Sequence, residues 1–287
     1  MKQGRIYKAL SGFYYIYSDG QIYQTRAKGA FRKQKITPLV GDFVQFESTN
    51  LTDGVVQIIE ERKNQMVRPA VANVDQAIIV SSMVVPDYAD LLLDRFLVAV
   101  EALNVEPIIY ISKVDLVDVK QYEVIKTKYE KIGYRVFSNL DDEKNLISCL
   151  ANKLTVVMGQ SGVGKSTLLN KLLGQNMLKT GEVSEALGRG RHTTRHVELV
   201  EIAGGLLADT PGFSALDLQN LEPRDLSQYF RDFTTYSHEC KFRGCLHVKE
   251  PKCAVKQALE DGLLEQSRYD SYQTFLQELE QQKTNRY

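Results

Sequence analysis

Short runs of β-branched and aromatic residues open the chain: Tyr14 and Ile16, Ile22 and Tyr23, Val44 and Phe46, then Val55, Val56 and Ile58. Turn signals at Ser18-Asp19-Gly20, Gly41-Asp42 and Asp53-Gly54 separate them. Several strands in so short a stretch predict a small barrel over residues 1–63, with an OB-fold as the natural form. From about Asn64 the pattern becomes strand alternating with helix. It predicts strands at Val74–Ser81, Pro107–Ile111, Tyr134–Phe137 and Leu154–Met158, and helices at Asp87–Leu103, Val119–Ile132 and Glu143–Asn152. Further strands follow at Val197–Ile202 and Gly205–Ala208. That alternation predicts a doubly wound α/β domain with a parallel sheet over 64–222. After Pro223 the chain reads as helical over 223–287, closing with a polar helix at Leu264–Gln282, and a disordered tail is expected at Gln281–Tyr287.

Composition narrows the class. Hydrophobic residues make up 43% and charged residues 25%, so each segment has apolar material for a core. The longest apolar runs are broken by Asp75, Gln76, Asp94, Arg95 and Glu101, and Met1–Gly12 lacks a signal-peptide core, so a cytoplasmic protein without membrane contact is expected. Net charge is zero, so any nucleic-acid contact must come from local patches. Cys149 reads as a core residue. Cys240, Cys245 and Cys253 cluster with histidine, which in a reducing compartment reads as metal binding rather than disulfides.

Gly159-Gln160-Ser161-Gly162-Val163-Gly164-Lys165-Ser166-Thr167 fits the P-loop pattern, with a strand expected before it and a helix, Lys165–Leu173, after it. Glycines let backbone N–H groups wrap a phosphate, Lys165 reaches the terminal phosphates, and the Ser166 hydroxyl ligates magnesium. Asp209-Thr210-Pro211-Gly212 follows a strand. Asp209 suits a magnesium partner and Gly212 a backbone sensor of the γ-phosphate. Ser112-Lys113-Val114-Asp115 also follows a strand and resembles the Asn/Thr-Lys-x-Asp motif of guanine recognition. Asp115 would accept from the guanine ring N–H and exocyclic amine, Lys113 would pack along the base, and Ser112 stands where Asn or Thr is usual. Ser138 is a candidate for the companion base loop, where Ser-Asn replaces the usual Ser-Ala. The base motif precedes the P-loop here, an order that a doubly wound sheet tolerates because all strand ends share one edge.

The barrel, the permuted motif order, Gly190-Arg191-His192-Thr193-Thr194 and the cysteine cluster together resemble the ribosome small-subunit-dependent GTPase A family (RsgA/YjeQ/YloQ), over essentially the whole chain. The resemblance implies an N-terminal OB-fold β-barrel, a central circularly permuted P-loop GTPase domain and a C-terminal α-helical zinc-binding domain. It implies one structural Zn2+ and Mg2+ with GTP. Residues 188–196 fall where switch I belongs, so Thr193 or Thr194 would complete the magnesium shell. Phe213 occupies the place of a water-orienting Gln, and the resemblance points to His192 as the catalytic group instead. Cys240, Cys245, His247 and Cys253 would form a closed tetrahedral site. His238 is a competing ligand, but the Cys-x-His spacing and the family pattern favour His247. The basic segment Arg26–Lys35, with Arg26, Lys28, Arg32, Lys33, Lys35 and a base-stacking Phe31, is the expected RNA surface. The switch arginines (Arg189, Arg191, Arg195) and Lys241, Arg243 and Lys249 add to it.

The expected function is a monomeric GTPase that binds the small ribosomal subunit and its rRNA, acts in late maturation, and leaves after subunit-stimulated hydrolysis of GTP to GDP. An RNA-binding scaffold with a structural nucleotide, or a permuted GTPase of large-subunit assembly, are the alternatives.

Overall fold

The computed structural model describes residues 1–177, 197–209, 218 and 221–284. By packing, the chain divides into two compact units: Met1–Ile78 with Asp141–Phe213, and Ile79–Leu140 with Ser214–Tyr287.

The first unit begins with strands β1 (Lys2–Leu10), β2 (Phe13–Ser18) and β3 (Gln21–Ala27), helix α1 (Gly29–Lys33), and strands β4 (Phe43–Ser48) and β5 (Gly54–Ile59). The hydrogen-bonded order is β1-β2-β3-β5-β4, and β4 returns to β1, closing the barrel in OB-fold order. Ile6, Ile16, Val44, Phe46 and Val56 point inward and are fully buried, on alternate positions of the strands. A two-stranded ribbon, β6 (Gln65–Met66) and β7 (Val71–Ala72), follows. The Asn64 side chain then brackets Val74, accepting its N–H (2.9 Å) and donating to its carbonyl (2.8 Å). Strand β8 (Gln76–Ser82) starts in this unit and ends in the other.

The same unit holds helix α4 (Glu143–Ser148), then strand β11 (Leu154–Met158), helix α5 (Lys165–Met177), and strands β12 (Glu198–Ile202) and β13 (Gly205–Asp209). β11 and β13 are parallel, pairing Leu154 with Leu206 and Val156 with Ala208, so both emerge at the same sheet edge. β12 is antiparallel to β13, and β1 pairs antiparallel with β12 through Lys8 and Glu198, which also form a 3.0 Å salt bridge. The barrel is thereby continuous with the phosphate-side strands, a junction the alternation pattern does not reveal. Gly205 is required there: a Cβ would lie 1.9 Å from the Leu150 carbonyl oxygen.

In the second unit, helix α2 (Asp90–Glu101) leads to β9 (Glu106–Ser112), helix α3 (Val119–Lys131) and β10 (Arg135–Ser138). β9 is buried from Pro107 to Ser112, as a covered parallel strand requires, and β10 runs parallel to it. Asp118 caps α3 by accepting from the Lys120 N–H. After a 3-10 turn at Pro223–Tyr229 come α6 (Arg231–Ser237), α7 (Ala254–Glu260) and α8 (Gln266–Thr284). Phe230, Phe233, Tyr272 and Phe275 form their core, together with Val98 and Ala99 of α2. Gln281–Thr284, expected as tail, continue α8. Cys149, expected in the core, is half-buried and donates to the Asn145 carbonyl at 3.3 Å. Among the described residues no helix is long and apolar enough to cross a membrane.

Charged pairs dock α2 to the C-terminal helices. Arg268 is fully buried between Asp94 (2.5 Å) and Asp232 (2.9 and 3.1 Å), with its guanidinium 4.6 Å from the Phe230 ring centre. Burial pushes the Asp94 carboxyl up, and the Arg268 charge opposes that rise. Arg95 forks onto Glu278 at 2.6 and 2.7 Å, and Arg231 bridges Glu101 and Glu106.

Candidate nucleotide and metal sites

The phosphate loop lies in the first unit. Gly159, Gly162 and Gly164 have φ of 143°, 82° and 94°, conformations closed to residues with a Cβ, which is why glycine stands at these points. Val163 is buried and anchors the loop, while Ser161, Gly162, Ser166 and Thr167 are exposed. Helix α5 begins at Lys165, so its unpaired N–H groups and positive dipole end face the loop. The Lys165 ammonium donates to the carbonyls of Gly159 (2.7 Å) and Gln160 (2.6 Å). Partial burial pulls its pKa below the ordinary lysine value, a shift that a phosphate beside it would oppose. The Asp209 backbone ends β13 at the same sheet edge as the loop. Gly212 and the switch candidates His192, Thr193 and Thr194 lie outside the described residues, as do Arg189, Arg191 and Arg195.

The base motif lies in the second unit. Parallel pairing of β9 and β10 brings Ser112–Asp115 and Ser138–Asn139 out at one edge. Lys113 sits in the left-handed region (φ 58°) and donates to the Val85 carbonyl; Val114 is buried, and Asp115 is exposed. Ser112 and Ser138 are buried, and the Ser138 hydroxyl accepts from the Leu140 N–H at 3.2 Å, shaping the turn. The residue beside it does more. Asn139 accepts the Val114 N–H at 2.9 Å and donates through Nδ2 to Asp115 Oδ1 at 2.5 Å. The departure from Ser-Ala was the available sequence signal for this residue.

Cys240, Cys245, His247 and Cys253 place their ligand atoms within 4.8 Å of one another. The Cys240–Cys253 sulfur separation is 3.9 Å, and His247 Nδ1 lies 3.3 Å from Cys253 Sγ and 3.7 Å from Cys240 Sγ. Tetrahedral thiolates about 2.3 Å from zinc stand roughly 3.8 Å apart, so the residues fit a structural metal. Without a cation, burial pushes the Cys245 thiol up to about 12, a rise that a bound cation would reverse. The cluster is held from behind: Tyr269 donates to the His247 carbonyl (2.6 Å), Tyr272 to that of Leu246 (2.8 Å), and Glu250 accepts the Leu246, Val248 and Lys249 N–H groups. His238, the competing imidazole, is exposed and faces Glu239.

The basic N-terminal segment differs from expectation. Arg26 belongs to β3, with its guanidinium 4.8 Å from the Phe13 ring centre, and Gly29–Lys33 form α1. Phe31 is 8% exposed, so it is packed inside rather than offered to a base. Lys28, Arg32, Lys33 and Lys35 are accessible.

Residues 59–219 match the RsgA GTPase family, and residues 3–56 match the RsgA N-terminal domain. The chain belongs to the RsgA GTPase family. RsgA relatives match it throughout. The "Small ribosomal subunit biogenesis GTPase RsgA" of Geobacillus sp. (strain WCH70) is 52% identical over 99% of both chains. That of Enterococcus faecalis is 53% identical over 98% of this chain and 96% of its own. The crystal structure of YloQ, a circularly permuted GTPase, superposes with a TM-score of 0.84 at 46% identity, covering 98% of this chain and 96% of that one. YjeQ from Thermotoga maritima gives 0.82 at 31% identity over 97% and 98%. The RsgA architecture of strand barrel, permuted GTPase domain and helical region with a Cys/His cluster is therefore the architecture of this chain.

Proposed function

We propose that this protein binds the small ribosomal subunit, acts in its late maturation, hydrolyses GTP faster on the subunit, and leaves once GDP is formed. The observation that carries the reading is the near-complete match to relatives named for small-subunit biogenesis, in a chain whose phosphate loop keeps the glycine conformations needed to wrap a phosphate. We take residues 1–63, 64–222 and 223–287 as its functional segments, in a cytoplasmic monomer.

In this reading, Gly159–Thr167 hold the phosphates, and Asp115, with Lys113, Ser112 and the 138–139 loop, reads guanine. Ser166, Asp209 and Thr193 or Thr194 would hold magnesium, which supplies charge neutralisation at the phosphates. Gly212 senses the γ-phosphate, and His192 orients water or stabilises charge in place of the missing Gln. One zinc on Cys240, Cys245, His247 and Cys253 supplies no chemistry and holds the C-terminal helices. Arg26, Lys28, Arg32, Lys33 and Lys35 contact rRNA phosphates, which makes subunit binding fall steeply with salt.

The test is turnover of GTP and of ATP with and without purified small subunits. GTP-selective turnover that rises on adding subunits, and that His192→Ala abolishes without loss of GTP binding, supports the reading. Turnover indifferent to subunits, with RNA affinity equal in GTP and GDP, refutes it in favour of a scaffold.

A further inference from the structure

We infer that Asn139 is a specificity-determining positioning residue: it fixes the carboxylate of Asp115 in the orientation that reads guanine. The inference rests on the reading of Asp115 as the base-contacting group.

Ser112, at the head of the motif, is 6% exposed. The loop that follows has two freedoms to lose. One is backbone: Lys113 occupies the left-handed region, uncommon for a residue with a side chain, so the turn must be held by its neighbours. The other is the rotation of an exposed carboxylate at Asp115. The Asn139 amide addresses both. Its Oδ1 takes the Val114 N–H (2.9 Å), and its Nδ2 donates to Asp115 Oδ1 (2.5 Å). Asn139 is half-buried on the loop after β10, and its own N–H donates to the Ile111 carbonyl (3.3 Å), so the brace stands on the paired strands rather than on solvent. Guanine offers two adjacent donors, the ring N1–H and the exocyclic amine. A carboxylate accepts both only when its plane is aligned with the base edge, and a carboxylate already held loses little freedom on binding. Alanine, the residue usual at this place, could do neither.

The experiment measures binding of GTP and of ITP, which lacks the exocyclic amine, by competition against a fluorescent guanine nucleotide, for the whole protein and three variants. Asn139→Ala removes both contacts. Asn139→Asp keeps the acceptor for the Val114 N–H and replaces the donor with a charge repelling Asp115, so it isolates the second contact and serves where the alanine variant folds poorly. Asp115→Asn tests the base reading itself. Both Asn139 variants are expected to weaken GTP about fivefold to tenfold, the net worth of an ordinary hydrogen bond, and ITP less, so that the GTP-to-ITP preference shrinks while the melting temperature holds. An equal loss for GTP and ITP would mean Asn139 only supports the loop, and overturns the inference. An unchanged preference in the Asn139 variants, with guanine preference lost in Asp115→Asn, overturns it too but leaves the base reading standing. Guanine preference retained in Asp115→Asn overturns both.

Discussion

Arg268 has no access to water and no neutral way to be removed. It lies between Asp94 and Asp232, whose side chains are 0% and 9% exposed. Substitution by alanine leaves two carboxylates facing an empty space, one of them wholly buried. Breaking a buried pair from one side costs about 3–5 kcal/mol, because the stranded charge keeps its desolvation penalty and loses its partner. At roughly 2–4 °C per kcal/mol for a chain of this size, the transition carrying α8 should fall by about 6–20 °C. Thermal melts followed by circular dichroism, with hydrogen exchange on α8, give the number.

Two companion measurements identify the cause. Burial already holds the Asp94 carboxyl above its usual range against the pull of Arg268; without Arg268 it rises further. A group whose folded-state pKa is raised favours the fold below its ordinary pKa, about 4, and that contribution is lost as pH rises through the raised value. The deficit of Arg268→Ala should therefore grow as pH rises from about 4 through the raised value, and Arg268→Ala with Asp94→Asn should lose most of that dependence. Replacing all three groups with apolar ones (Arg268→Met, Asp94→Leu, Asp232→Leu) should recover most of the stability, since no charge is then stranded. A loss under about 1 kcal/mol in the single variant, or a triple variant as unstable as the single one, would refute the reasoning.

Mercurial titration of the thiols should release one zinc per chain, and Cys253→Ser should bind none and melt first in α6–α8; a stoichiometry of zero with native α7 contradicts the site. Gly205→Ala should destabilise the first unit by more than about 2 kcal/mol in chemical denaturation, because its Cβ would meet the Leu150 carbonyl; a neutral result would mean that β13 shifts freely. Lys165→Ala should weaken GTP about tenfold to a hundredfold in equilibrium binding, one charge-assisted contact at roughly 1.5–3 kcal/mol, with the fold intact by circular dichroism. Loss of less than about threefold would place the phosphates elsewhere.

What was legible in the sequence was local. The P-loop is visible because its glycines are needed at fixed offsets by backbone geometry, and the metal site because four ligands fall within one short stretch. The strands and helices of the α/β region end within a few residues of where the apolar runs put them, β11 at Leu154–Met158 among them. Less was visible where the determining contact is distant. Asp94 reads as a charge interrupting an apolar stretch, yet it is fully buried because Arg268 neutralises it from α8. The joining of barrel to sheet rests on Lys8 meeting Glu198. Phe31 is flanked by basic residues that suggested a surface, while the ring itself is buried. Asn139 looked like a weakened motif because its partner, Asp115, lies on another loop.

These long-range pairs give the second unit a consequence that its motifs do not. Arg231, at the start of α6, holds Glu101 at the end of α2 and Glu106 at the start of β9, 2.9 Å from the latter. β9 is the buried strand that ends in Ser112 and delivers Asp115. The helices behind the metal cluster therefore grip the strand that carries the base motif by its far end, and loosening them releases both Glu101 and Glu106. Chelation of the metal should raise hydrogen exchange in β9 and residues 112–115 along with α6–α8, while β11 and the phosphate loop, braced instead by β13, keep their protection. Arg231→Ala should reproduce the β9 response with the metal still bound. Equal loosening of β9 and β11 on chelation, or an unmoved β9, would show that the C-terminal helices hold only themselves, and that the base strand takes its stability from its neighbouring strands.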